Sequence, residues 1–192
     1  MVPDTQLFLD HLETLFGKKA SSFSQLDGRD DETPVFYIFF RDIPEPGYLT
    51  VVTYGLSLAE HPEWTGAKPE VMLCLETRSE VWGDTAAKLV EAFRGNCPFR
   101  YGDVLNWGKP VAPPSELSAF YVFSPALPNR FLREDEATIR LNDHSVFLVS
   151  LYPVHSGEIE LMERIGIDQL WQLPQYDPFA PHRPDVSQAT TV

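Results

Sequence analysis

From Asp4 to Phe16, Leu7, Phe8, His11, Leu12, Leu15 and Phe16 recur at helical spacing. Asp4 or Thr5 is placed to cap the start and Gly17 to supply the stop, so a first helix is expected here. Residues 18–33 are polar and turn-rich and read as a loop. Val35–Phe40 is then an unbroken apolar and aromatic run bounded by Arg41 and Asp42, which predicts a strand covered on both faces. A turn through Pro44, Pro46 and Gly47 leads into a second strand, Tyr48–Tyr54. A third is expected over Glu70–Thr77, with Val71, Leu73 and Leu75 on one face and Glu70, Met72, Cys74 and Glu76 on the other.

Apolar strand faces need a cover. Asp84 is expected to cap a helix with Ala86, Leu89, Val90 and Phe93 in one stripe and Gly95 at its end. The stretch Asn96–Ser118 is irregular, with room for a short edge strand within Tyr101–Trp107. Ala119–Phe123 reads as a strand and Ser124–Glu136 as a loop. Thr138–Leu141 and Ser145–Val154 are expected to form a hairpin across Asn142, Asp143 and His144. A helix capped by Ser156 follows to Ile165, stopped by Gly166, with Glu158 and Glu160 near its positive end. Asp168–Leu173 makes one more turn before Pro174.

Short Pro/Gly loops between consecutive strands favour an α+β fold: a mixed, mainly antiparallel β-sheet with α-helices packed on it. Residues 1–175 are expected to form one domain. Residues 176–192, punctuated by Pro178, Pro181 and Pro184, are set apart as a Pro-rich tail lying over the surface or partly disordered.

Composition narrows the function more than the fold. The chain has 192 residues, 43% of them hydrophobic, enough for a core that needs no disulfide or metal to close it. A net charge of −13 repels phosphate backbones and argues against nucleic acid as partner. It favours solubility or a partner with a basic face. No apolar run approaches the roughly 18–20 residues that span a bilayer, and no basic start followed by an apolar stretch suggests a signal peptide. A soluble cytoplasmic protein without membrane association is expected.

Catalytic and metal motifs are missing from the sequence. Cys74 lies in an apolar run and Cys97 stands far from it, without the Cys/His spacing of a zinc site. His11, His61, His144, His155 and His182 fall in no metal-ligand pattern, so no metal or cofactor is expected. The stretch Tyr54-Gly55-Leu56-Ser57 lacks the second glycine of a nucleophile elbow. Glu134 with Glu136, and Glu158 with Glu160, have a spacing common on solvated surfaces. The alternative in another class is a hydrolase using Asp103, His155 or Glu158, and a third is a scaffold subunit acting only through self-association. Trp64, Trp82, Trp107 and Trp171 stand at element boundaries, where they clamp loops or act as amphipathic anchors for a partner.

Several fragments form an ordered series. Thr53-Tyr54-Gly55-Leu56-Ser57 closes a strand, Glu70 leads an alternating strand, and Trp82 enters an amphipathic helix. Gly102-Asp103 precedes Trp107. A late apolar strand runs into Glu158 on a helix that ends at Gly166, and Arg183 follows a Pro-rich approach. In this order, over roughly residues 35–187, the chain resembles the suppressor-of-fused domain family. The resemblance implies a mixed α/β domain without known catalysis that binds a protein partner. Longer animal members hold zinc-finger transcription factors as an added strand between two lobes. Short bacterial members, which this chain resembles in size, are often immunity proteins against polymorphic toxins. Leu58 stands where the family often has an acidic residue, so the animal binding mode is not carried across. The expectation is a non-enzymatic domain that sequesters or inhibits a protein, with a basic toxin domain as the partner the resemblance and charge imply. Tyr54, Ser57, Glu76, Trp107 and Glu158 are the candidate contact residues, and the oligomeric state stays open.

Overall fold

The computed structural model describes residues 1–28 and 33–188. Its centre is a mixed sheet: β1 (Ser22–Leu26), β2 (Val35–Arg41), β3 (Leu49–Tyr54), β4 (Lys68–Leu75), β10 (Ser145–Val154), β6 (Ala119–Phe123) and β5 (Val104–Asn106), in that spatial order. Among the described residues only β4 and β10 run parallel; every other pair is antiparallel. The fold is thus the expected mixed, mainly antiparallel sheet with helices packed on it. The first half of β10 also pairs with β9 (Thr138–Arg140), which confirms the hairpin across residues 142–144.

Strand alternation sorts the core into two faces. Val35, Tyr37 and Phe39 of β2, Leu49 and Val51 of β3, Val71, Leu73 and Leu75 of β4, and Val149 and Leu151 of β10 lie under α2 (Val81–Phe93). Trp82 inserts from that helix and is fully buried. Gly83 permits the approach, since a Cβ there would stand 2.6 Å from the Phe39 ring. On the opposite face Ile38, Phe40, Val52, Tyr54, Met72, Val146 and Leu148 meet Phe8 and Leu12 of α1 (Asp4–Phe16). Further along this face α4 (Ser156–Ile165) and α5 (Ile167–Leu170) close over Ala119, Tyr121 and Val154.

The differences from the sequence reading have physical causes. Residues 22–26 form edge strand β1; Ser22 and Ser24 lie on its half-buried face while Phe23 is exposed, so no apolar alternation marked it. The region 124–136 contains a small hairpin, β7 (Ala126–Leu127) with β8 (Arg130–Phe131), and the turn α3 (Glu134–Ala137). Asp84 does not cap α2, which begins at Val81; its carboxylate accepts a hydrogen bond from the Tyr37 hydroxyl at 3.0 Å. Neither Asp4 nor Thr5 caps α1, whose N-cap is Pro3; Asp4 Oδ1 instead accepts from the Asn142 backbone N–H at 2.9 Å. Ser156 is the first residue of α4 and His155 its N-cap. The Pro-rich segment carries Tyr176, Arg183 and Val186 into the interior. Among the described residues no helix is long and apolar enough to cross a membrane.

Candidate functional site

Two carboxylates are sealed completely inside the molecule. Glu70 is the third residue of β4, beside the strand-ending Thr53–Ser57 segment. It accepts hydrogen bonds from Gly55 N (2.6 Å), Ser57 N (2.9 Å), Ser57 Oγ (2.8 Å) and Thr53 Oγ1 (2.7 Å). Gly55 allows this close turn: its φ is 152°, and a Cβ would stand 2.9 Å from the Val35 backbone. Burial raises the Glu70 pKa, and the four donors oppose the rise.

Glu158 has a different solution. Arg183 grips it with both terminal nitrogens, Nη1 on Oε1 and Nη2 on Oε2 at 2.6 Å. The backbone N–H groups of His155 (2.9 Å) and Val186 (3.1 Å) complete its shell. Arg183 also donates to Pro153 O at 3.2 Å, and its guanidinium lies 4.3 Å from the centre of the Tyr176 ring. This pair pins the Pro-rich segment to α4.

The residues of the alternative hydrolase do not converge into a reactive centre. His155 and Glu158 are adjacent, but the imidazole Nε2 is taken by Arg183 O at 3.2 Å and the carboxylate is saturated. Asp103 serves a turn instead, accepting from Arg100 N at 2.7 Å. Glu158 is buried while Glu160 is exposed, so that carboxylate pair points apart. Both cysteines are free, and burial raises the pKa of each, that of Cys74 to about 12, which disfavours the thiolate a nucleophile would need. Among the described residues no group of three or more His, Cys, Asp or Glu is placed to hold a metal ion.

The family landmarks therefore meet in space as scaffold. Gly55, Leu56 and Ser57 join Glu70; Glu158 joins Arg183; Trp82 fills the core. Gly102, at φ 103°, donates to Val122 O two residues ahead of β5, and Gly166, at φ 83°, separates α4 from α5. Of the five candidate contact residues, Tyr54, Ser57 and Glu158 are interior, Glu76 is exposed and Trp107 is half-buried. The five are not gathered in one patch.

Surface chemistry concentrates instead at β5, which ends the sheet among the described residues. Asp103 O accepts from Val122 N at 2.9 Å and Trp107 N donates to Ser118 O at 3.0 Å. By ladder alternation the intervening backbone groups of Val104 and Asn106 point outward, away from β6. Leu105 anchors the strand in the core, while Val104 and Asn106 are exposed. Tyr101 at 52% and Phe131 at 47% exposure stand nearby, both against Phe123 of β6. The sequence reading placed an edge strand here but missed Tyr101, Val104, Phe123 and Phe131, because only the fold gathers them.

The architecture is that of an α+β domain whose two sealed carboxylates are bonded internally and whose sheet ends in an open edge. The family profile described as Suppressor of fused protein (SUFU) matches residues 31–185. The chain belongs to this family. It is similar to the crystal structure of a protein described as a suppressor of fused homologue from Neisseria gonorrhoeae FA 1090, with 18% identity and a TM-score of 0.66 over 95% of this chain and 96% of that one. It resembles a chain of the Sufu–Fu complex crystal structure at 16% identity and a TM-score of 0.66, over 98% of this chain and 94% of that one. It also resembles Drosophila Suppressor of Fused (16% identity, TM-score 0.67), covering 98% of this chain but 52% of that one. No curated protein sequence matches.

Proposed function

We propose that this is a non-enzymatic protein-binding domain that takes an extended segment of a protein partner onto the β5 edge and so sequesters or inhibits it. The observation that carries the reading is the open edge at Val104 and Asn106, flanked by half-exposed Trp107 and the aromatic side chains beside it. Strand addition draws affinity from backbone hydrogen bonds and specificity from neighbouring side chains, and β5 offers outward backbone groups with aromatic rings beside them. Family membership supports a binding role, as does a structural relative crystallised as a Sufu–Fu complex.

The partner we propose is a toxin domain with a basic face, met in the cytoplasm, with this chain as its immunity protein. The net charge of −13 would speed encounter with such a face. The test is to mix the chain with a toxin domain encoded beside it and titrate binding at rising salt. Val104→Pro removes the outward N–H and should weaken binding by about tenfold or more without lowering the melting temperature, since an edge strand tolerates proline there. Equal binding by this variant would refute edge capture, and binding insensitive to salt would reject the electrostatic part.

A further inference from the structure

The aromatic residues beside β5 form more than a patch. Tyr101 and Phe131 each lean on Phe123, at ring-centre distances of 5.4 and 6.4 Å. Phe131 stacks flat on Trp171, 5.3 Å between centres and 2° between planes. Tyr152 braces Trp171 edge-on at 5.1 Å, and Tyr121 stacks under Phe123 at 5.9 Å. Two half-exposed rings thus stand on a partly buried third, with braced rings behind them. These braced rings, termed the slot, are held in place before anything binds, which lowers the ordering cost of binding between them.

Its electrostatics favour a cation. Aromatic faces attract positive charge, and a planar guanidinium stacks on them. The basic residues next to the slot are already engaged: Arg100 with Glu63 and Arg130 with Glu136. Asp168, three positions before Trp171 and exposed, has no ion pair among the described residues. It stands on α5, about one turn ahead of the Trp171 ring that stacks on Phe131, and its charge is, after burial, the second cause raising the pKa of the Tyr121 hydroxyl. The chain uses the same contact internally, where Arg183 lies over Tyr176.

Register links the slot to the edge. Val104 is directly opposite Tyr121, so its side chain shares the sheet face of Tyr121 and Phe123. A residue added opposite Val104 would project onto that same face, toward the slot. We propose that the slot of Tyr101, Phe123 and Phe131 receives an arginine side chain of the segment that pairs with β5, with Asp168 as its counter-charge. This specificity rests on the proposed edge capture.

The test uses the full chain and a short capped peptide of alternating Thr and Val, with Arg, Lys, Leu or Glu at its centre. Affinity and backbone amide shifts are read by NMR titration. The Arg peptide should bind roughly 3- to 30-fold more tightly than the Leu peptide, with shifts at Val104–Asn106 and Tyr101. That preference should vanish in Tyr101→Ala and Phe131→Leu and shrink severalfold in Asp168→Asn, with melting temperatures confirming that each variant folds. Binding with edge shifts but no preference for Arg, or a preference that survives both ring substitutions, overturns the slot while leaving edge capture standing. Failure of every peptide to shift the edge amides rejects both.

Discussion

Glu70 and Glu158 are equally buried and carry the same side chain, yet the protein treats them in opposite ways. Glu70 is surrounded by neutral donors drawn from within seventeen residues of it: Thr53, Gly55 and Ser57. Glu158 is neutralised by Arg183, which lies 25 residues further along and brings the Pro-rich segment with it. A carboxylate held by neutral dipoles loses little when its charge is removed. One held by a buried cation leaves that cation stranded. The first arrangement fixes a turn, and the second fastens a distant segment to the body of the domain.

The largest expected effect is Arg183→Met, which leaves the Glu158 charge uncompensated and should cost about 3–5 kcal/mol in urea denaturation. Residues 176–188 should then exchange amide hydrogens faster than the sheet. A loss under 1 kcal/mol would put the Glu158 pair on the same footing as Glu70, erasing the contrast. Combining Glu158→Gln with Arg183→Met should recover most of that loss, because no buried charge remains; additive losses in the double-mutant cycle would mean the two groups are not coupled. Ser57→Ala removes one of the four donors to Glu70 and should cost about 1–2 kcal/mol by the same denaturation measurement.

The smallest effect is expected for Glu70→Gln. Its amide can donate to Thr53 Oγ1, whose proton can turn toward Val71 O at 3.5 Å, so the change should stay within about 1 kcal/mol at neutral pH. The raised pKa gives this substitution a second signature. Between the unfolded carboxyl value, about 4.3, and the raised folded value, the native state holds more protons, so Glu70 makes stability fall as pH rises. Glu70→Gln should remove that slope. An unchanged pH profile in the variant would assign the slope to other groups.

Legibility followed the range of the interactions. Val35–Phe40, Ala119–Phe123 and the hairpin into Ser145–Val154 were readable because a strand covered on both faces must be apolar throughout. Helix α1 was readable to the residue, since Gly17 at φ 62° ends it locally. Strand β1 was not, because its inward face carries Ser22 and Ser24 and its outward face Phe23, the reverse of the usual alternation. The helix caps failed similarly: Asp4 and Asp84 have the chemistry of caps but were recruited by Asn142 and Tyr37. At the candidate site, Trp107 and the short strand before it were visible in the sequence. Tyr101, Phe123 and Phe131 were not, because their significance lies in the first and last both packing on Phe123.

Alternation and helical periodicity by themselves determined the α+β class, the central strands and the principal helices, because burying apolar surface imposes those periods on the chain. The order of Gly55, Glu70, Trp82, Gly102 and Arg183 determined the family. Tertiary structure decided which of those residues face inward, that Arg183 neutralises Glu158, and that the sheet ends at β5 beside a set of aromatic rings. Pairing between residues distant along the chain depends on where strands and helices are brought to rest, and no local period records that.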